Sequence, residues 1–270
     1  MPSVFMQFLG VKEDKIKRDK KAQKKAQVTL VVIIAIVIVA AIIFIALYKP
    51  GIVIPPAITD PSSYIEKCSK DAASNAINLL SGQGGLIVPE SYILYEGKRV
   101  SYLCYTTEYY KGCVNQQPLL KETVENEITE RIKPEVQDCV NHVVSEYQGK
   151  GYSVSAGSLN IETVLQPRKV LINVNVPLAL TKAETVKYEK FNSIIAHPLY
   201  NFVMLSQDIV NSEAMYGDFD QLTYMLIHND MSINKFRTGT STIYNLQDRK
   251  TGKQFTFAVK SFETPGGLFG

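Results

Sequence analysis

Tryptophan is absent from the 270-residue chain, and histidine nearly so. His142, His197 and His228 stand far apart, without the H-x-x-x-H or H-E-x-x-H spacing that sets two ligands on one helix face. No metal centre is expected from them, and surface or capping roles suit them better than catalysis. No two cysteines have C-x-x-C spacing, which argues against zinc-ribbon and thioredoxin-type chemistry. The glycine cluster Gly82, Gly84 and Gly85 has neither the preceding strand nor the following Lys of a phosphate-binding loop. It reads as a helix stop. No N-x-S/T acceptor occurs, and no cofactor is expected.

The most consequential absence is of charge. From Val28 to Tyr48 there is no ionisable side chain except the terminal Tyr48, and no Pro or Gly. As a helix these residues extend roughly 31 Å, the thickness of a bilayer's hydrocarbon core. They carry no polar stripe at helical spacing, so a transmembrane helix is expected. Residues 1–27 hold eight Lys/Arg against three Asp/Glu, whereas the remainder after Tyr48 holds 21 against 23. That asymmetry predicts a cytoplasmic N-terminus and an extracellular domain, in a single-pass protein of the cell membrane. The folded part is not basic, so no nucleic-acid partner is expected; the lipid bilayer is. The span exceeds a secretory h-region and lacks a small-x-small cleavage site, so a retained anchor is favoured over a cleaved signal.

Lys24-Lys25-Ala26-Gln27-Val28-Thr29 resembles the processing site of archaeal type IV pilin-like (class III) signal peptides. The resemblance implies a cut between Ala26 and Gln27 that leaves the apolar helix on the mature protein. Val31 stands where many pilins carry a Glu, a departure from the pilus-subunit pattern, and an ordinary uncleaved signal anchor remains the alternative. More broadly the chain resembles archaeal single-pass envelope proteins. The shared features are the basic leader, the Gln27-Val28-Thr29 start, a Cys-bearing helix ending in Gln83-Gly84-Gly85, a second Cys-bearing helix, and the closing strand Phe255–Lys260. That resemblance implies no particular activity.

Beyond the span, 49–61 is Pro-rich and predicts a semi-rigid stalk, followed by an extracytoplasmic α+β domain over 62–270. Asp60-Pro61-Ser62-Ser63 with Glu66 marks a helix start with capping-box chemistry. The helix is expected to bury Ile65, Cys68, Ala72, Ala76, Leu79 and Leu80. Strands are expected at Leu86–Val88 and across Tyr92–Tyr105, turning at Glu96-Gly97-Lys98. A long helix follows from Pro118 to Gln148, with Val124, Ile128, Ile132, Val136, Val140 and Val143 on one stripe. Glu127 and Arg131 are expected to pair on its wet face, and Pro134 to kink or split it. Alternation predicts strands at 152–155, 159–165, 170–180 and 185–191, a helical region over 198–228 broken at Gly217, and strands at 233–237, 241–246 and 254–260. Helices packed on antiparallel sheet follow, with a suggestion of two helix-plus-three-strand units.

Outside the cell, cysteines pair. Four cysteines allow three pairings, and the one favoured here is Cys104–Cys113, closing a short loop, with Cys68–Cys139, stapling two helices. Chain entropy gives about 2.7 kcal/mol for a loop of about 10 residues and about 4.4 for one of about 72. Ser232-x-x-Lys235, Ser232-x-Asn234 and Lys250-Thr251-Gly252 mimic the penicillin-binding-protein motifs. They crowd into strands and a turn rather than opening a helix, so no catalytic residues are assigned and no enzyme is expected. Asp208, Glu213, Asp218 and Asp220 read as a solvated helix face rather than a calcium loop. Tyr92, Tyr95, Tyr102, Tyr105, Tyr109 and Tyr110 are the candidate binding residues, because tyrosines pack on proteins and stack on sugars. The function expected is a non-enzymatic, membrane-anchored surface protein that binds a protein or glycan; the alternatives are a processed pilin-like subunit and, third, an envelope enzyme. The intact mass of the protein from its native membrane separates the leader readings. Loss of residues 1–26 establishes class III processing, an intact leader a plain anchor. Reduction is expected to add the mass of about four hydrogens, one pair for each disulfide.

Overall fold

The carboxylate of Asp60 starts the first helix, accepting from the backbone N–H of Ser62 (3.3 Å) and Ser63 (2.9 Å). Two of the helix's otherwise unsatisfied donors are thereby paired, and Pro61 follows at the first helical position, where no N–H is needed. The computed structural model describes residues 33–40, 58–109 and 111–261. It divides into two units, Met1–Pro56 and Ala57–Gly270. In the first unit, 33–40 are helical and exposed. The rest of the apolar run 28–48, the basic leader with Ala26 and Gln27, and the stalk up to residue 57 lie outside the described residues. Among the described residues no helix is long and apolar enough to cross a membrane.

The second unit begins earlier than the expected residue 62, because Ile58 is already buried in its core. Four helices follow: α1 (Pro61–Ser81), α2 (Leu120–Gly149), α3 (Leu199–Tyr216) and α4 (Gln221–Ile227). They pack with ten strands in two sheets. In the first sheet β1 (Tyr92–Tyr95), β2 (Lys98–Tyr105), β10 (Gln254–Lys260), β9 (Ser241–Asp248) and β8 (Met231–Thr238) lie in that order, with β3 (Val114–Asn115) also on β2. β10 pairs parallel to β2, and the other pairs are antiparallel. The second sheet is built on the long β6 (Lys169–Thr181). Along it β4 (Ser153–Ala156) and β5 (Asn160–Gln166) pair with successive halves, and β7 (Thr185–Ala196) runs its whole length. Pro177 can donate no ladder bond, and it sits where the β6–β7 register shifts.

The stripe of α2 is buried as its spacing predicts, from Val124 to Val143. It faces a core that includes Val170, Ile172, Val174 and Val176, one alternating face of β6. α1 packs on α2 and β7, while α3 wedges between the sheets, touching β2, β3 and β10 on one side and β5 and β6 on the other. Both expected disulfides are present. Cys68–Cys139 joins α1 to α2 with Cα atoms 6.6 Å apart, and Cys104–Cys113 closes the β2–β3 loop at 5.3 Å.

Several local expectations are corrected. Leu86–Val88 is loop rather than strand, held instead by the Ile87 N–H donating to Glu127 Oε2 (2.8 Å). Glu127 is therefore engaged there, and Arg131 pairs with Glu135 (2.9 Å). Pro134 does not split α2, which is helical throughout. Leu79 is 45% exposed rather than core. Ser62, not Ser63, reaches Glu66. The two-unit repeat is not seen: the second sheet holds four strands of its own, whereas β8–β10 complete a sheet begun by β1–β3.

Gly84 and Gly85, both with positive φ, bring the end of α1 against the first sheet. A Cβ on Gly85 would lie 2.8 Å from Val124 Cγ2, whereas one on Gly97, also at positive φ, would meet nothing within 4 Å. Gly97→Ala is expected to cost about 1 kcal/mol, the backbone term alone. Gly85→Ala should cost about 2–4 kcal/mol, because overpacking adds to it. Thermal melts of the two variants measure the difference.

Candidate functional site

Alternation along a strand sends successive side chains to opposite faces. In β1 it separates Ile93 and Tyr95 from the exposed Tyr92 and Leu94. In β2 it aims Val100 and Tyr102 away from the helices. Tyr105, three residues on, should point the other way. The β2–β10 register shift prevents this: Ala258 pairs with Tyr102 but Val259 with Cys104, so β2 carries one extra residue. The bulge returns Tyr105 to the face of Tyr102, and their rings lie 5.2 Å apart.

A second apolar cluster results on the side away from the main core. Val100, Tyr102, Ile243 and Ala258 are buried there, with Ile93, Tyr95 and Tyr105 packed around them. The Tyr102 hydroxyl is 2.8 Å from Ser241 Oγ. The sheet curls around this cluster until Tyr95 of β1 comes within 6.0 Å of Phe236 of β8, although three strands lie between them. Phe236 remains 45% exposed. Next to the rings stand Asn234, Asn245 and Thr256, cross-strand partners of one another. The Asn245 amide donates to Thr256 Oγ1 (3.0 Å).

Of the six candidate tyrosines, Tyr95, Tyr102 and Tyr105 are brought together on this face. Tyr92 lies apart, under the guanidinium of Arg99 at 5.1 Å. Tyr109 is 74% exposed in the loop after β2, and Tyr110 lies outside the described residues. Phe236 was not among the candidates. The alternation Ser232, Asn234, Phe236 along β8 was its signal.

The ionisable residues are committed elsewhere. Glu213 is buried, not on a solvated face as expected. It accepts from the Tyr244 hydroxyl and lies 3.6 Å from Lys235 Nζ, which also pairs with Asp218. Burial raises the Glu213 carboxyl against the pull of Tyr244 and Lys235, and burial lowers the Lys235 amine. Asp220 caps α4, accepting from Leu222 and Thr223, whereas Asp208 is exposed. Ser232 and Lys235 lie on β8, and Thr251 donates to Asp248 Oδ1 (2.9 Å) within the β9–β10 turn, so the penicillin-binding-like residues serve structure. Burial would raise the Asp248 carboxyl, but the backbone and hydroxyl of Thr251 and the Arg168 guanidinium hold it below its usual range. Among the described residues no group of three His, Cys, Asp or Glu is placed to hold a metal.

Comparison of the chain with known protein families, curated proteins and solved structures finds no match.

His142 stands beside Tyr64 on α2, and His228 caps α4 through its backbone N–H. His197, expected at the surface, is 4% exposed, and its Nδ1 has no hydrogen-bond partner among the described residues. Burial, then the charge of Lys253, lowers its pKa from 6.5 to about 4, against the opposing effect of Asp248. Between those values the unfolded chain holds a proton that the folded chain does not. The stability contribution is therefore whole above pH 6.5 and lost as pH falls toward 4. Its size is of the order of 3 kcal/mol. Urea denaturation at neutral pH and near the lower value should show the stability gap between wild type and His197→Asn narrowing on acidification by about 2–3 kcal/mol.

Proposed function

We propose that this chain is a membrane-anchored cell-surface protein without catalytic activity. Its N-terminus lies in the cytoplasm, and its α+β domain, outside, binds a partner through the aromatic face of the six-stranded sheet. The observation that carries this reading is the gathering of Tyr95, Tyr102, Tyr105 and Phe236 on a face that no described helix covers. Rings flanked by amides and hydroxyls fit a glycan, because the ring faces take the apolar C–H surface of a sugar and the amides take its hydroxyls. Two disulfides in one domain accord with an oxidising compartment. The commitment of Glu213, Lys235 and Asp248 to structural partners leaves them unavailable as acid–base groups, which supports a binding role over an enzymatic one.

The test uses the full chain in lipid nanodiscs against a panel of cell-surface glycans. Saturable binding to at least one glycan is expected. Tyr105→Ala and Phe236→Ala should each weaken it about tenfold or more, with a modest fall in melting temperature for Tyr105→Ala, whose ring packs on the buried cluster, and little change for the more exposed Phe236→Ala. Alkaline carbonate washing of native membranes checks the anchor: the protein should stay in the pellet.

A further inference from the structure

A separate concavity lies at the opposite end of β2 from Tyr105. It holds about 440 Å³ and is lined by Leu79, Gly82 and Gln83 at the end of α1, Ile87, Val88 and Pro89 of the following loop, and Lys98 and Arg99 at the start of β2. Its construction is rigid. Glu96 (φ +48) and Gly97 (φ +75) make the two-residue turn that pairs Tyr95 with Lys98. Lys98 lies along Gly82, close enough that a Cβ there would make ordinary contact with its Cδ (3.5 Å) and Nζ (3.7 Å). Glu127 fixes the loop through the Ile87 N–H.

Two features of this cleft are open to a partner, although the Arg99 guanidinium also lies over the Tyr92 ring. Val88 is 71% exposed and Leu79 45%, so two aliphatic side chains face water side by side. Lys98 and Arg99 make no ion pair among the described residues, and the cleft's lining contains no carboxylate. The chain beyond Tyr48 is slightly acidic overall, so this pair of cations is a local feature.

We propose that the cleft binds an extended acidic peptide segment of a partner protein. Aliphatic side chains of the segment seat on Leu79 and Val88, and a carboxylate lies between Lys98 and Arg99. Charge complementarity selects the acid. The aliphatic walls select a peptide over a sugar, because no aromatic ring lines the cleft and sugars stack on rings. The inference goes beyond the glycan reading and shares no residue with the aromatic face.

The test is fluorescence anisotropy on the full chain in nanodiscs, with a labelled decapeptide of alternating Leu and Glu. The controls are an alternating Leu/Lys decapeptide, a Glu homopeptide and polygalacturonate. Saturable binding of the Leu/Glu probe is expected, with none of the Leu/Lys probe. It should weaken about tenfold or more in Lys98→Glu/Arg99→Glu and in the milder Lys98→Gln/Arg99→Gln, and also in Val88→Ser. Tyr105→Ala and Phe236→Ala should leave it unchanged, so failure here is distinct from failure of the glycan reading. The proposal is overturned if the Leu/Glu probe does not saturate, or if either double variant binds it as wild type does. Equal binding of the Glu homopeptide would reduce the site to charge attraction and overturn it as well. Preference for polygalacturonate would replace the peptide with an acidic glycan.

Discussion

One residue of a hairpin turn ties the two sheets together. Arg168, between β5 and β6, adopts φ +64, a conformation that costs a side-chain-bearing residue about 1 kcal/mol. Four contacts offset that cost. Its N–H donates to Asn201 Oδ1 of α3 (3.2 Å), and its carbonyl accepts from His197 N–H at the end of β7 (3.1 Å). Its guanidinium reaches Asp248 Oδ2 of β9 (3.2 Å) and Asp230 beside β8 (3.9 Å). One tip of the four-stranded sheet is thereby tied to the helix between the layers and to the far sheet. The buried Asp248 carboxylate would be unfavourable without the cation, and removing one partner of a buried pair costs more than the pair contributes.

Much of this arrangement was legible because it is local. The stripe from Val124 to Val143, the alternation of β6 and the Gly217 break all follow from spacing along one element. What spacing could not carry is what the fold supplies from a distance. Leu86–Val88 has strand-like residues, but no strand edge is offered to it, and Glu127, forty residues away, takes its amide. Glu213 follows Asn211 and Ser212, His197 lies between Ala196 and Pro198, and both are buried by elements that arrive later in the chain.

The aromatic face illustrates both cases. Opposite parity within β1 already separates Tyr92 from Tyr95, so the split of the tyrosine run could be read directly. The return of Tyr105 to the face of Tyr102 could not. It depends on the bulge opposite β10, a strand that follows β2 by about 150 residues of chain. A parallel pairing across so long a stretch leaves no local signature.

The chain comes into the folded domain at Ile58–Asp60, where Lys150 Nζ donates to the Ile58 carbonyl (2.8 Å). About two helical turns later Cys68 is bonded to Cys139. A pull on the chain before Ile58 would therefore pass into α2 through a covalent link before most of α1 felt it. The remainder of α1, roughly 20 Å of helix, is thereby spared as a link in that path. The disulfide makes α2, rather than the length of α1, the place where a force on the chain before Ile58 enters the domain, and the end of α1 that walls the cationic cleft is not stretched on the way.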